Sequence, residues 1–489
     1  MSIIEVTTDT PESFRNKLYN IDTEGRRHKI YPHKPDGRFY RWRSRLSYLL
    51  LVFLFLAPFV KINGYQFMLF NIIERKFILF GVVFFPQDFY IVVLGILTLL
   101  VSIFLFTSIL GRIWCGWLCP QTVFMEMLFR KIEHGIEGNA VQQRLLDNAK
   151  LSPRKVMKKA LKHGIFFALS FAIGNTFLAY IIGSDALITI ITSPPTEHLT
   201  GFVAMVLFSL VFYGVFARFR EQACVVVCPY GRYQSALVDH NTIAITYDFV
   251  RGEPRSKFTR KDKEALTVQG GVETSAAASR GDCIDCHQCV NVCPTGIDIR
   301  NGIQLECVNC AACIDACDVV MDKIKKPRGL IRYASLESIR SASQHWLSTR
   351  VRAYIGVWLI VMSLFVYFFT TRDMVEVLVL RQAGTLAVTN ANGDKVNFYM
   401  MNIINKNYND MSLKVEVLEP KGASVSVIGD ISKVTKVSEK SARLMLSIPA
   451  DKIIGTDQYV RLGVFANGEK IKELTTRFLS SDFSSTTKE

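Results

Sequence analysis

Cysteine is the residue type whose spacing most directly indicates chemistry in this sequence of 489 residues. All 12 cysteines fall in short-spaced groups, and residues 1–114 and 318–489 contain none. Closely spaced pairs and runs are typical of metal ligation rather than of a disulfide framework. The cysteines are Cys115, Cys119, Cys224, Cys228, Cys283, Cys286, Cys289, Cys293, Cys307, Cys310, Cys313 and Cys317.

The strongest motif is a pair of matching runs, CIDCHQCVNVCP from Cys283 and CVNCAACIDACD from Cys307. In two-cluster ferredoxins, three close cysteines of such a run bind one [4Fe–4S] cluster and the fourth binds the other cluster. A zinc site would need four ligands per metal and no exchanged cysteine. We therefore predict a first cysteine set and a second cysteine set, one for each cluster. The first is Cys283, Cys286, Cys289 and Cys317, and the second is Cys293, Cys307, Cys310 and Cys313.

Two side chains near these runs have less obvious roles. His287 lies inside the first run, and we predict a neighbour of the cluster rather than a ligand, because four cysteines suffice. Asp318 stands where the first run has a proline, and we expect it to loosen the turn after Cys317.

A second motif, C-x-x-x-C-P, occurs twice, 109 residues apart. Cysteines at i and i+4 share one face of a helix, and the proline ends helical geometry at the second cysteine. Soft thiolates suit Cu(I), zinc or an iron–sulfur centre, whereas an isolated cysteine is often only a small buried apolar residue. The repeated proline favours one shared metal or redox site. We call its residues the membrane cysteines, which are Cys115, Cys119, Cys224 and Cys228.

Apolar runs are the elements that must position these motifs. A membrane span needs about 20 residues at about 1.5 Å of rise per residue. Both C-x-x-x-C-P motifs follow directly after such a run. We predict an interfacial segment or hairpin over residues 66–85, where polar residues interrupt the apolar pattern. The five predicted spans are centred on residues 46–60, 89–110, 165–183, 201–219 and 353–369.

The distribution of Lys and Arg predicts the orientation. Residues 1–45, 111–163 and 218–352 contain 10, 10 and 19 of them, whereas residues 61–87 and 184–199 contain 3 and none. Cytoplasmic loops carry this excess, so the N-terminus and the cluster region are predicted inside and the C-terminus outside. The net charge of +15 is therefore explained by topology, and nucleic-acid binding is not predicted.

Beyond residue 380 the hydrophobic pattern alternates with period two, and two Asn-Gly pairs indicate tight hairpins. This predicts an antiparallel β-sandwich without cysteine, which serves binding or docking. The predicted organisation is a cytoplasmic segment (1–45), a four-helix membrane domain (46–219), a cytoplasmic region (220–350) with a ferredoxin-type domain at about 274–325, a fifth transmembrane helix (351–372) and the sandwich (375–489).

The paired helix-end motifs, the stretch CPTGIDIRNGIQLECVNCAACIDAC at 293–317 and the strand-rich tail resemble the cytochrome c oxidase accessory proteins of the CcoG/FixG/RdxA type. The resemblance covers nearly the whole chain in the same order. It implies a multi-pass protein of the bacterial inner membrane, two [4Fe–4S] clusters on the cytoplasmic side and a periplasmic immunoglobulin-like domain. It also implies a role in the assembly of cbb-type oxidases through reduction of Cu(II) to Cu(I).

Three functional hypotheses follow from the sequence. In the first, the protein is a cupric reductase whose membrane cysteines bind copper, with oxidase assembly factors or a copper transporter as partners and an unidentified electron donor. In the second, it is a membrane electron relay to or from a quinone or a respiratory reductase, without copper. In the third, it is a non-catalytic assembly scaffold that docks through its sandwich, and the cluster cysteines are then dispensable for assembly.

Overall fold

The computed structural model describes residues 29–72, 74–257, 280–341, 347–382, 387–390, 393–429, 431, 433–453, 455–466 and 468–480. Part of the predicted N-terminal segment, residues 1–28, lies outside this description. The chain divides into two units. The first comprises residues 1–61, 66–72 and 90–365, and the second comprises residues 62–65, 73–89 and 366–489. The second unit therefore takes residues 62–65 and 73–89 from the predicted membrane domain.

Four helices among the described residues are long and apolar enough to cross a membrane. Their apolar side chains are mostly not buried inside the protein, as expected for helices that face lipid. They account for four of the five predicted spans, and they make this a membrane protein. The helices are Pro86–Leu110, Pro153–Ile182, Leu199–Phe219 and Thr349–Thr370.

The predicted span at 46–60 differs from the structure. Its helix, Arg38–Leu56, begins in a basic stretch that includes Arg43 and Arg45, and the chain turns at residues 57–59. Within this helix, residues 46–56 are free of charge, whereas a full crossing takes about 20 residues. The helix is therefore not among the four that length and composition identify, and a fifth span stays a prediction.

The prediction for residues 66–85 is confirmed as a hairpin. Strands Lys76–Leu79 and Val82–Phe84 pair antiparallel, and Gly81 takes a positive φ of 76° in the turn between them. The preceding segment contains the short strands Lys61–Ile62, Tyr65–Gln66 and Leu69–Asn71.

Both C-x-x-x-C-P motifs break and restart a helix at the same place. Cys119 and Cys228 have extended ψ angles of 124° and 114°, and new helices begin at Pro120 and Pro229. Proline disfavours helical geometry at the preceding residue but suits the first turn of a helix. The helical segments around the motifs are Phe89–Leu110, Ile113–Trp117, Pro120–Thr122, Val123–Phe129, Arg130–Glu137, Ala140–Asn148, Val215–Phe219, Ala223–Val227 and Pro229–Leu237.

The ferredoxin-type region is built on a two-stranded antiparallel sheet, Ala244–Tyr247 with Ile331–Ala334. Its two cysteine runs have the same backbone conformation. Asp285 and His287 in the first run, and Asn309 and Ala311 in the second, all have φ between 51° and 63°. The third cysteine of each run, Cys289 or Cys313, then lies in the first turn of a helix. The helical segments are Phe249–Gly252, Gln288–Asn291, Ile299–Asn301, Ala312–Lys323 and Leu336–Ser341.

Asp318 does not loosen the structure after Cys317 as the sequence predicted. The helix Ala312–Lys323 continues through it, and the Asp318 carboxylate accepts a hydrogen bond of 3.1 Å from the backbone N–H of Gly329. A helix interior favours Asp over Pro, because proline removes a backbone hydrogen bond there.

The second unit contains an immunoglobulin-like sandwich of two antiparallel sheets. One sheet has the strand order Ser424–Ile428, Ser438–Ile448, Lys395–Asn405, Val375–Arg381, with Val388–Thr389 also paired to Lys395–Asn405. The other has the order Leu413–Glu419, Asp457–Ala466, Glu469–Leu479. Alternate residues of these strands face the core, as the period-two pattern predicts. Its fully buried side chains include Tyr399, Met401, Ile403, Leu444, Leu446, Val460 and Phe478.

A buried ion pair ties the sandwich to residues 73–89 within the second unit. The Lys406 ammonium lies 2.6 Å from Asp88 and 3.2 Å from Glu376, and the Lys406 and Asp88 side chains are 1% and 3% exposed. Removing one partner of a buried pair leaves an uncompensated charge, so Asp88→Asn is expected to lower the free energy of unfolding by about 3–5 kcal/mol.

Pulse proteolysis of the purified protein in increasing urea measures this change. Asp373→Asn is the matched control, because Asp373 pairs with Lys472 at 2.7 Å but is 59% exposed. We expect a change of at most about 1 kcal/mol there. Equal effects of the two substitutions would contradict the structural role of the Asp88 pair.

Candidate functional site

The first cysteine set surrounds a cavity of about 370 Å³ of empty volume. All four of its cysteines line this cavity, together with apolar side chains such as Met321, Leu330 and Ile331. Cys283 and Cys289 are buried, whereas Cys286 is exposed. One edge of this site therefore reaches solvent.

The second cysteine set surrounds a separate cavity of about 330 Å³ of empty volume. All four of its cysteines line it, and Cys289 of the first set lies at its edge. Cys310 and Cys313 are buried. The structure thus places Cys317 with the first run and Cys293 with the second run, which is the exchange of fourth cysteines that the spacing predicts.

The thiols of both sets are suited to iron rather than to acid–base chemistry. Burial raises the pKa of Cys293 to about 11 and those of Cys289, Cys307 and Cys317 to about 12. A buried thiol gives up its proton when a metal replaces it, and iron–sulfur clusters are bound by such thiolates. None of the 12 cysteines forms a disulfide. The residues present therefore fit one cluster in each cavity.

Among the described residues, no three His, Cys, Asp or Glu side chains are arranged to coordinate a single metal ion.

The membrane cysteines come together from the two repeats. The side-chain amide of Gln234, in the second repeat, donates a hydrogen bond of 3.4 Å to the Cys115 Sγ atom in the first repeat. Burial, and then the neighbouring Cys119, Cys115 and Cys228 in that order, raise the pKa of Cys224 to about 12. Burial is also the main cause that raises the pKa of Cys115 to about 11. Cys115 and Cys224 are therefore each within electrostatic range of the other three membrane cysteines.

The first membrane motif lies directly against the second cysteine set. Cys115 packs on an apolar cluster formed by Val292, Val308, Cys310 and Ala312. A Cβ atom on Gly116 would collide with the carbonyl oxygen of Val308 and would lie 2.8 Å from that of Asn309. The Ile113–Trp117 helix can therefore approach the loop Val308–Asn309–Cys310 only because position 116 is glycine.

Hydrogen bonds fix this contact on either side of Gly116. The Trp117 indole donates to the Tyr333 hydroxyl at 3.2 Å, and that hydroxyl donates to the Asn309 carbonyl at 2.9 Å. The Arg43 Nε atom donates to the Gly116 carbonyl at 2.6 Å. The Arg112 guanidinium donates to the Leu305 carbonyl, two residues before Cys307.

Gly116→Ala is expected to disrupt the second cysteine set, because the added methyl group meets rigid backbone rather than a movable side chain. We expect loss of about half of the bound iron, since one of the two cluster sites is affected. Iron content per chain after anaerobic purification measures this.

The matched control is Gly135→Ala, because a Cβ atom at Gly135 meets nothing within 4 Å. It lies in the interior of the helix Arg130–Glu137, where alanine is favoured over glycine by about 1 kcal/mol. Full iron content in Gly116→Ala would contradict the close packing of the membrane motif on the cluster loop.

The surroundings of the first cysteine set are ionic. The Arg300 guanidinium contacts Asp285 at 2.5 Å, Asp298 at 2.6 Å and the His287 ring at 2.9 Å. Burial acts to raise the pKa of Asp298, but hydrogen bonding and attraction from Arg300 outweigh it and lower that pKa. The His287 side chain is 54% exposed and touches Arg300, as expected for a neighbour of the site.

Sequence reasoning missed Gly116, Gln234, Arg43 and Arg112. Only Gly116 carries a usable signal, because it is a glycine between two cysteines of a helical motif. The partners of the other three lie 73 to 193 residues away along the chain. No periodicity or spacing connects them.

Family models match separate stretches of the chain. A 4Fe-4S dicluster domain matches residues 219–336, and a 4Fe-4S binding domain matches residues 92–137. The IG-like fold at the C-terminal of FixG matches residues 365–481. The nitrogen fixation protein FixG of Rhizobium meliloti is 32% identical over 511 residues, covering 96% of this chain and 92% of FixG. The chain belongs to the FixG family.

Other relatives have similar coverage. Protein RdxA and protein RdxB of Cereibacter sphaeroides are 33% and 31% identical and cover 81% and 88% of this chain, and 84% and 89% of their own lengths. Among solved structures, a FixG-related protein from Vibrio parahaemolyticus aligns at 21% identity with a TM-score of 0.18, covering 22% of this chain and 97% of that one.

Membership in the FixG family, the iron–sulfur domains and the apolar helices together define the protein. It is a membrane iron–sulfur electron-transfer protein with two iron–sulfur clusters and a C-terminal immunoglobulin-like domain.

Proposed function

We propose that this FixG-family protein is a cupric reductase, in which the membrane cysteines bind copper as substrate. The observation that carries the proposal is the packing of Cys115 against the apolar cluster that contains Cys310, which joins the membrane cysteines to the second cysteine set. A protein that only buried its cysteines for packing would not need such a contact between two thiol sites.

The proposed reaction adds one electron to one Cu(II) ion and gives one Cu(I) ion, without a covalent change in the protein. Thiolates are soft ligands and Cu(I) is softer than Cu(II), so the membrane cysteines favour the reduced product. The Gln234 amide donates to Cys115 at 3.4 Å and stabilises its thiolate form, which is the form that binds metal.

The two cysteine sets are the proposed ligands of two [4Fe–4S] clusters, which supply one-electron transfer when bound. Within this arrangement Cys286 keeps the first set open to solvent, where a soluble electron donor can approach. Cys310 of the second set is buried in the apolar cluster against which Cys115 packs. The polypeptide thus orders the two sets from the solvent towards the membrane cysteines.

Oxidase assembly is the biological setting that we propose, with Cu(I) passed on to assembly factors or a copper transporter of a cbb-type oxidase. We place the protein in the bacterial inner membrane, with the cysteine sets in the cytoplasm and the immunoglobulin-like domain in the periplasm. The Lys and Arg excess in residues 111–163 and 218–352 supports this orientation.

Reporter fusions test the orientation. We expect a reporter after Glu489 to be active only outside the cytoplasm, because the span Thr349–Thr370 follows the cluster region that we place inside. We expect a reporter at the N-terminus to be active inside, because residues 1–45 contain 10 Lys and Arg. Activity of the N-terminal reporter outside would show that the helix Arg38–Leu56 does not cross the membrane.

A second candidate function is an electron relay to a quinone or a partner flavoprotein, with a third iron–sulfur centre at the membrane cysteines. The observation that favours it is the match of a 4Fe-4S binding domain to residues 92–137, whose cysteines are Cys115 and Cys119. About twelve iron atoms per chain would support this candidate, and about eight would support the copper site.

Binding of Cu(I) tests the first candidate function, the cupric reductase. Anaerobically purified protein is titrated with Cu(I) in competition with a chromophoric Cu(I) chelator, for the wild type and for Cys115→Ser/Cys224→Ser. We expect tight binding that the double variant loses at unchanged iron content. Equal Cu(I) binding by both proteins would overturn the proposal.

A further inference from the structure

Two arginines are buried where the second cysteine set meets the first membrane motif. Arg43 is 3% exposed and donates from Nε to the Gly116 carbonyl at 2.6 Å, and Arg112 is 9% exposed and donates to the Leu305 carbonyl. In both guanidinium groups the Nη2 atom is buried without a hydrogen-bond partner. Each arginine therefore has donors that the surrounding polypeptide does not satisfy.

Neither arginine forms a salt bridge within the part of the chain that the structure describes. The nearby Glu126 carboxylate is already bonded to Arg130. Glu306 precedes Cys307 and is also buried, and it forms no salt bridge with Arg112 in the described part of the chain. An unpaired cation in a protein interior is strongly unfavourable, so both guanidinium groups need an anionic neighbour.

The second cysteine set supplies such a neighbour. Arg43 is bonded to the carbonyl of Gly116, which packs on the backbone of Val308 and Asn309 just before Cys310, and Arg112 is bonded to the carbonyl of Leu305, two residues before Cys307. Both guanidinium groups are thus held beside the loop that carries the second set, and Arg112 also lies three residues before Cys115. Four thiolates around an iron–sulfur cluster carry net negative charge, which matches the two cations.

The first cysteine set differs in this respect. Its buried arginine, Arg300, contacts Asp285, Asp298 and His287, so nearby carboxylates neutralise its charge. In the described part of the chain, the buried arginines beside the second cysteine set, next to Cys115, therefore differ from Arg300 in having no carboxylate partner.

We propose that Arg43 and Arg112 raise the reduction potential of the cluster that the second cysteine set would bind, so that the electron resides on the cluster next to Cys115 before it passes to Cu(II) at the membrane cysteines. The proposal rests on the ligand assignment made above. Reduction adds negative charge to the cluster, and fixed cations at low dielectric stabilise the reduced form. Both arginines act through the cluster and are positioning residues.

A redox titration of the full-length holoprotein, followed by electron paramagnetic resonance, tests this role. In Arg43→Gln and in Arg112→Gln we expect the reduction equilibrium of one cluster to become at least about tenfold less favourable, which is a fall of about 59 mV for a one-electron couple. The other cluster should keep its potential. Arg43→Lys, which retains the charge, should restore most of the shift.

The matched control is Arg41→Gln, because Arg41 lies on the same helix but is exposed. It should leave both potentials unchanged. If a Gln variant loses iron, Arg43→Met and Arg112→Met repeat the test without a buried polar head group. Unchanged potentials at about eight iron atoms per chain would overturn the role of the arginines and leave the ligand assignment standing. Loss of iron in all four variants would also overturn it, because the arginines would then be structural.

Discussion

Cys286→Ser is expected to reduce the iron content from about eight to about four atoms per chain or fewer. Serine keeps the shape of cysteine but offers a hard oxygen ligand in place of a soft thiolate, so the first cysteine set would lose one corner of its cluster. The second cluster is at risk as well, because Cys293 and Cys289 both line the cavity of the second set. Iron and sulfide are counted after purification without oxygen.

Two variants separate this effect from general instability. Cys115→Ser removes a cysteine that belongs to neither set, and it should retain about eight iron atoms. Cys313→Ser removes a buried ligand of the second set and should lose at least as much iron as Cys286→Ser. Wild-type protein with four iron atoms or fewer would contradict two [4Fe–4S] sites.

Replacement of any single membrane cysteine by serine is expected to lower the rate of copper reduction by at least about 100-fold. Loss of a residue that merely orients a metal ligand costs about 10–100-fold in affinity or activity, and loss of a ligand should cost more. The rate is measured as Cu(I) formed per chain with a chromophoric chelator, at matched iron content.

The four membrane cysteines should also act as a unit. Cys115→Ser/Cys119→Ser should be little worse than the more damaging of its two single variants, because residues that act together are non-additive. Gln234→Leu removes the hydrogen bond to Cys115 and should have a smaller effect than any of the four. Small, additive effects at all four cysteines would indicate packing residues instead.

Much of the fold follows from local patterns in the sequence. Period-two alternation beyond residue 380 predicts the sandwich, and the structure has strands there, such as Lys395–Asn405 and Glu469–Leu479. The strand Val375–Arg381 lies mostly before that alternation begins, although it falls within the predicted domain 375–489.

The end of the helix Arg38–Leu56 cannot be predicted from the composition of the apolar run alone. The apolar run extends to residue 60, but the helix ends at Leu56 and the chain turns at residues 57–59. Where a helix ends depends on contacts with distant elements. The Leu54 carbonyl, for example, accepts a hydrogen bond of 2.9 Å from the Tyr180 hydroxyl.

The cysteine positions were predictable, whereas their surroundings were not. The ligand exchange between the two runs follows from spacing alone, because cluster geometry restricts which cysteines can share a site. The packing of Cys115 on the cluster that contains Cys310, and the buried charges of Arg43 and Arg112, depend on segments that are distant in sequence. Burial of an unpaired charge is visible only once the fold places it.

Transfer of an electron from the reduced protein to copper tests the central claim most directly. Protein reduced with dithionite and desalted without oxygen is mixed rapidly with Cu(II), and cluster absorbance and Cu(I) chelate are recorded together. We predict one Cu(I) formed for each electron lost by the wild type. Cys115→Ser/Cys224→Ser should keep about eight iron atoms, accept electrons from dithionite and fail to pass them to copper. Equal rates and yields of Cu(I) in the wild type and this variant would contradict a shared copper site at the membrane cysteines.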